Sequence, residues 1–216
     1  RQRQMCIRDR GGTVRLGADP QNGGMKNFDD PVLDAMASRR SVSKVGPRTP
    51  SDEELAQLLA AVTPVADHKA LRPWRLVLLR GEDRRVLGEA LDAAAGVERG
   101  PGEMNPKPCR AELLIAVVAR GIEHEKVPVW EQHATAAGAA HLLELALWQA
   151  GWGVMWRSGM HANAPQVRAA HGVRDDELLM GWLYVGDVDP ALRERMGASS
   201  KPPLDPAPFL GRFPRA

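Results

Sequence analysis

Cysteine is scarce, with only Cys6 and Cys109 in 216 residues, and the two form neither a CxxC pair nor a spaced metal pattern. A disulfide framework is not expected. The reading that follows is a reducing, cytoplasmic setting. Charge of one sign is lacking as well. Lys and Arg total 29 against 27 Asp and Glu, the net charge is +2, and no basic block stands out in the body of the chain. No nucleic-acid partner is expected, because such binding needs a basic stripe or patch. The longest apolar run, Leu113 to Ala119, is too short to cross a bilayer, so no membrane association is expected. The Arg-rich start has no apolar core of a secretory signal.

Common catalytic signatures are missing too. No G-x-G-x-x-G follows a strand pattern, and no G-x-x-x-x-G-K-[ST] occurs. His124-Glu125 lacks the second histidine of H-E-x-x-H, and Ser158-Gly159 lacks the G-x-S-x-G frame. His141 and Glu144 stand three apart and could share a metal, but no third ligand is in register, so no metal is expected.

The remaining composition is ordinary for a globular domain, at 44% hydrophobic and 26% charged residues. The length suits one domain, expected over residues 28–216. Arg1 to about Arg10 reads as foreign to a natural protein, and Gly11 to Asn27 is Gly-rich and aperiodic. Residues 1–27 are therefore expected to be a disordered or artefactual tail, with an initiator at Met25.

Asp30-Pro31 opens the first firm element, Asp as N-cap and Pro in the first turn. Val32, Leu33, Met36 and Ala37 then share a helical face, with the helix ending near Arg39-Arg40-Ser41. Ser51 to Glu54 predicts a capping box, Ser51 bonding the Glu54 amide and Glu54 returning the bond. Leu55, Leu58, Leu59 and Val62 form the buried stripe of the helix it starts. A strand is predicted over Trp74–Arg80, and a helix over Asp83–Ala95 with Val86, Leu87 and Leu91 inward. Gly100 to Pro108 predicts irregular chain. Leu113–Ala119 predicts a strand covered on both faces.

Trp130–Ala150 is the longest predicted helix. It is apolar most of the way round and is expected to be central and buried, with Gly151 as its C-cap glycine. Short elements follow: a strand at Val154–Trp156, a helix at Pro165–His171 and a strand at Leu178–Val185. From Gly186 the Pro-rich chain is expected to continue as an extended arm. Helices and strands mix without strict βαβ repetition. The expected class is α+β, a mainly antiparallel central sheet flanked by helices.

Four patches carry chemistry. Arg39-Arg40-Ser41 ends the first helix. Its dipole favours cations there, and two guanidiniums also suit an oxyanion. Asp67-His68-Lys69 with Pro73-Trp74-Arg75 crowds ionisable groups into a loop before a strand, either as a solvated turn or as a site. Lys126-Val127-Pro128 with Trp130-Glu131-Gln132 is an irregular segment opening the long helix, either a site or a place where Glu131 simply suits the helix N-terminus. In Gly151 to Gly159, glycines, Trp152, Trp156, Arg157 and Ser158 suit a planar anionic cofactor, or the tryptophans simply fill core.

Taken in order, R-R-S, D-H-K, P-W-R, K-V-P-x-W-E-Q, W-R-S-G and G-W-L-Y-V-G resemble the nitroreductase family, over roughly Asp30 to Phe213. The resemblance implies an FMN-dependent NAD(P)H oxidoreductase that works as an interlocked homodimer. Two equivalent FMN sites would lie at the subunit interface, and the C-terminal arm of one subunit would lie on the other's sheet. By position, Arg39, Arg40, Ser41, Trp156, Arg157 and Ser158 would contact FMN, and His68 would reach the FMN of the partner. Ala146, Leu147, Trp148, Gln149, Ala150 and Gly151 would contact the nicotinamide cofactor. NADH or NADPH would pass a hydride to flavin N5, and a nitro-aromatic, quinone or related small acceptor would then be reduced, a ping-pong cycle. No side-chain nucleophile or acid–base residue is implied. Dehalogenation, flavin fragmentation and enone reduction on the same fold remain alternatives, as does a flavin-binding protein with little turnover. Pro64 stands where a close relative in the family carries an arginine, so one cofactor contact of the pattern is not implied here; the segment between Gly96 and Pro108 is shorter by about four residues, which leaves substrate range open.

Overall fold

A computed structural model describes residues 31–198, 205 and 207–213. The expectations for residues 1–27 lie outside the described residues. Four strands form one sheet in the order β1 (Trp74–Arg80), β2 (Leu113–Arg120), β4 (Glu177–Asp187), β3 (Trp152–Arg157), and every neighbouring pair is antiparallel. Six helices accompany it among the described residues: α1 (Pro31–Ser38), α2 (Asp52–Val62), α3 (Glu82–Ala95), α4 (Val129–Gln149), α5 (Pro165–Ala170) and α6 (Pro190–Ala198). No helix among the described residues is long and apolar enough to cross a membrane.

The unbroken apolar run of β2 follows from its position. Side chains alternate across a strand. Leu113, Ile115 and Val117 face a core built with Leu55 and Val62 of α2 and with Ala139, Ala140, Leu143 and Leu147 of α4. Leu114, Ala116 and Val118 face Leu87 and Leu91 of α3 and Val167 of α5. Helices thus cover both faces, and each buried Leu, Ile or Val contributes about 1.5–3 kcal/mol.

Four local expectations are corrected. The Ser51 hydroxyl does accept the Glu54 amide at 3.2 Å. The carboxylate of Glu54, however, takes the Trp152 indole N–H at 2.6 Å, so the return half of the box is given up to a tertiary partner. Val86 is exposed, because α3 turns only Leu87, Gly88, Leu91 and Asp92 inward. Helix α4 is buried on one face only, and Val129, Trp130 and Leu142 are exposed. The chain after Gly186 is not simply extended. Asp189 accepts the Leu192 amide at 3.0 Å and Pro190 occupies the first helical position, so α6 forms from an Asp-Pro start; the N-cap expected at Asp30 lies outside the described residues.

Residues 205 and 207–213 belong to a separate unit and carry a single 3-10 turn, Ala207–Phe209. Phe209, Leu210 and Phe213 are exposed there.

Candidate active site

Glycines open the edge of the sheet that carries most of the predicted site residues. Gly153 of β3 pairs with Gly186 of β4. A Cβ on Gly153 would stand 2.6 Å from Val188, and one on Gly186 would stand 2.4 Å from the Gly46 carbonyl. Their bareness lets the segment after α1 lie against the strand pair. Val42 N–H donates to Val154 O at 2.9 Å, and Gly46 N–H donates to Asp187 O at 2.8 Å. Arg39, Arg40 and Ser41 are thereby held beside β3.

Arg157, at the end of β3, completes the junction. Its Nη2 donates to the Ser43 carbonyl at 3.2 Å, and its guanidinium carbon sits 5.5 Å from the centre of the Tyr184 ring. Its Nε is buried with no hydrogen-bond partner among the described residues. Burial pushes the Tyr184 phenol above its ordinary pKa, although the Arg157 charge opposes this. Arg39 Nη1 donates to Ser41 Oγ at 3.2 Å. Arg40 Nη1 donates to the Ala37 and Arg39 carbonyls at 2.6 and 3.0 Å, which closes the C-terminus of α1 as the helix dipole favours. Among the described residues, neither Arg39 nor Arg157 is ion-paired with a carboxylate.

A β-bulge places Trp156. Val117 pairs with Gly181 and Val118 with Leu179, so Met180 is an extra residue in β4. The Met180 carbonyl accepts the Trp156 indole N–H at 3.1 Å. Gly181 has φ +116, and a Cβ there would stand 2.4 Å from the Arg157 carbonyl. Only glycine meets both conditions. The other face of Trp156 meets the His141 ring edge-on, centroids 5.2 Å apart. Ser158 follows, exposed, directly after the strand.

The remaining predicted residues lie elsewhere. His68 sits in the loop ahead of β1, which is the opposite edge strand, and its Nδ1 lies 3.0 Å from Glu131 on α4. Glu131 therefore has a tertiary partner beyond its place in the first turn of its helix. In the stretch 146–151, Leu147 and Trp148 are buried, whereas Gln149, Ala150 and Gly151 are exposed. Trp148 packs with Val42 and Val188 beneath Arg193, whose guanidinium carbon is 4.2 Å from a Trp148 ring centre. Gln132, next to Glu131, is structural: it bonds Ile122 N and O at 2.9 and 2.7 Å and Val127 O at 3.0 Å. Arg75 pairs with the buried Glu177. His141 and Glu144 lie 3.2 Å apart, and no cluster of potential metal ligands occurs among the described residues.

The sequence assigns no individual role to Tyr184, Ser43 or Arg72. Tyr184 and Ser43 meet Arg157 only through tertiary contacts, which no local pattern announces.

The model of the Nitroreductase family matches residues 36–187 of this chain. The Escherichia coli K12 protein named "Putative NAD(P)H nitroreductase YdjA" is 35% identical over 186 residues, covering 84% of this chain and 99% of that protein. The chain belongs to the nitroreductase family. Two solved structures share the family fold. A nitroreductase-like family protein from Bacillus cereus superposes with a TM-score of 0.68 at 20% identity, covering 88% of this chain and 99% of that one. The FMN and NADPH-dependent nitroreductase NfnB of Sphigopyxis sp. strain HMH superposes with a TM-score of 0.61 at 17% identity, covering 85% and 99%. Every predicted site residue of this nitroreductase-family chain, from Arg39 to Ser158, falls inside the matched span.

Proposed function

We propose that this chain is an FMN-dependent NAD(P)H oxidoreductase that reduces nitro-aromatic, quinone or related small electrophilic acceptors in a ping-pong cycle. Family membership supports the oxidoreductase class, and the relatives' names join it to NAD(P)H and FMN. The observation that carries the cofactor assignment is the edge of β3. There Arg39 donates to Ser41, Val42 is bonded to Val154 of the strand, and Arg157, followed by Ser158, donates to the Ser43 carbonyl, and neither guanidinium is ion-paired among the described residues. Such a donor set suits a phosphate and a hydroxylated chain. The buried, unpartnered Nε of Arg157 fits the same demand for an acceptor.

FMN, when bound, supplies the two-electron chemistry, accepting a hydride from NADH or NADPH and delivering it to the acceptor. In this reading Arg39, Ser41, Arg157 and Ser158 hold its phosphate and ribityl chain. Trp156, locked by Met180 and His141, borders the ring. Arg40 contributes positive charge where the reduced ring is negative. Of residues 146–151, the exposed Gln149, Ala150 and Gly151 are the ones able to meet a nicotinamide cofactor.

The site is read as shared between two copies, His68 coming from the partner. Strand β1 is an edge of the sheet, Leu78 on it is exposed, and a cavity of about 260 Å³ lined by Leu55, Leu59, Leu76 and Leu78 lies beside it. That edge, with the exposed face of α4, is the surface proposed to meet a second copy and its C-terminal arm.

The test is a visible spectrum of the purified protein before and after anaerobic addition of NADPH or NADH. Flavin absorbance that bleaches with the nucleotide and returns with a quinone is expected. A colourless protein that takes up no added FMN refutes the proposal.

A further inference from the structure

The loop ahead of β1 is the most strained backbone in the described chain. Lys69, Ala70 and Arg72 have φ of 66, 51 and 49, and they are the only non-glycine residues with positive φ among the described residues. Asp67 holds the loop in this shape. Its two carboxylate oxygens accept the Leu71 amide at 3.1 Å and the Arg72 amide at 2.7 Å, and its carbonyl accepts the Ala70 amide at 3.0 Å. From the other side, Thr135 on α4 donates to the Ala66 carbonyl at 3.2 Å. The strain is imposed by these bonds rather than tolerated by a loose loop.

Arg72 gains nothing visible from this arrangement within the protomer. Its side chain is exposed and makes no hydrogen bond or ion pair among the described residues. A glycine would take the same backbone without strain. Arg72 instead lines a cavity of about 470 Å³ with Thr63, Pro64, Asp67 and Trp74. The Trp74 ring closes one wall, and its indole Nε1 is buried with no hydrogen-bond partner among the described residues. Asp67, the one carboxylate in the lining, is already committed to two backbone amides. What the cavity has to spare is therefore a donor group: a planar guanidinium with its five N–H groups.

We propose that Arg72 is a phosphate-binding side chain, taking a phosphate monoester in the cavity between Pro64 and Trp74, on the same loop that carries His68. This rests on the nucleotide-dependent reading above, and two monoesters fit that reading: the phosphate of FMN and the 2′-phosphate of NADPH. Both present the tetrahedral oxyanion that a free arginine fork recognises.

The experiment compares the wild type, Arg72→Gln, Arg72→Lys and Arg72→Gln/Pro64→Arg. Dissociation constants for FMN and for riboflavin are measured by flavin fluorescence, and KM values for NADPH and NADH by steady-state turnover. If FMN is the source, Arg72→Gln weakens FMN about tenfold while riboflavin is unchanged. If NADPH is the source, KM for NADPH rises about tenfold while KM for NADH and both flavin constants stay put. In either case Arg72→Lys recovers part of the loss, and an arginine at Pro64, on the wall of the same cavity, recovers part in the double variant. Equal losses for the phosphorylated and unphosphorylated partners, or no loss in any measurement, overturn the proposal. A wild type that binds no flavin overturns the function proposed above and this inference together. A wild type that binds FMN but discriminates as Arg72→Gln does overturns this inference alone.

Discussion

The Trp182 indole donates its N–H to Nε2 of His171 at 3.0 Å, and Nδ1 of the same imidazole donates to the Val167 carbonyl at 2.8 Å. Trp182 can only donate and a carbonyl can only accept, so these contacts define a neutral ring with its proton on Nδ1. Burial lowers the His171 pKa below its ordinary 6.5, with the Val167 contact opposing and the Arg75 charge adding to the shift. The unfolded chain therefore binds a proton that the folded chain refuses. Stability present above pH 6.5 should decline as pH falls below that value. Urea midpoints at pH 7 and pH 5 measure the decline, and His171→Phe should flatten it.

A second acid dependence lies lower. The Glu177 side chain is fully buried and meets Arg75 through two bonds, at 2.9 and 2.8 Å, with Arg174 3.2 Å away. The Arg75 bonds, opposed by burial, hold its pKa at about 2 against an ordinary 4.5. The carboxylate's contribution is complete above 4.5 and is lost as pH falls from there toward 2. It amounts to about 3 kcal/mol. Glu177→Gln strands the arginines around it and should destabilise the protein at neutral pH by about 3–5 kcal/mol. Denaturant melts at pH 7 read the loss, and the variant should also show a weaker acid dependence between pH 4.5 and 2.

Gly181→Ala should act on both stability and the site. The new methyl would need a backbone at φ +116 and would press on the Arg157 carbonyl. A cost of about 2 kcal/mol or more is expected from strain and displacement. Because Met180 and Arg157 flank the bulge, FMN affinity should fall with it. An unchanged melting temperature would show that the bulge is not anchored as described.

Arg157→Gln should leave the fold in place, since the Ser43 bond is one neutral carbonyl contact at the rim. Flavin titration should show FMN affinity reduced about ten- to a hundredfold, the value of a lost charge-assisted hydrogen bond of about 1.5–3 kcal/mol. Full retention of affinity would separate Arg157 from the cofactor.

Local pattern carried a large part of the fold. Strand β1 was legible over its whole length, Trp74–Arg80, because strand formers end at Gly81. The apolar run of β2 and the Ala-rich stretch of α4 were equally legible, since long segments of one character leave few alternatives. Helix α6 was missed although Asp189-Pro190 is the same start signal as Asp30-Pro31, because nearby prolines outweighed it. The positions of Arg39 to Ser41 and of Trp156 to Ser158 were legible as motifs. Their meeting through Val42 and Val154 was not, because it joins residues more than a hundred apart.

The sequence alone settled most of the element types before Gly186, the class, the family and the residue types available for an anionic planar cofactor, because these depend on periodicity and on contiguous chemistry. The tertiary structure decided who partners whom: Glu54 turns from its own helix cap to Trp152, Glu131 reaches His68, Arg75 serves Glu177, and Arg72 is left facing a cavity. A hydrogen-bonding group with several chemically adequate partners takes the one that packing brings within reach, and packing depends on the whole chain at once.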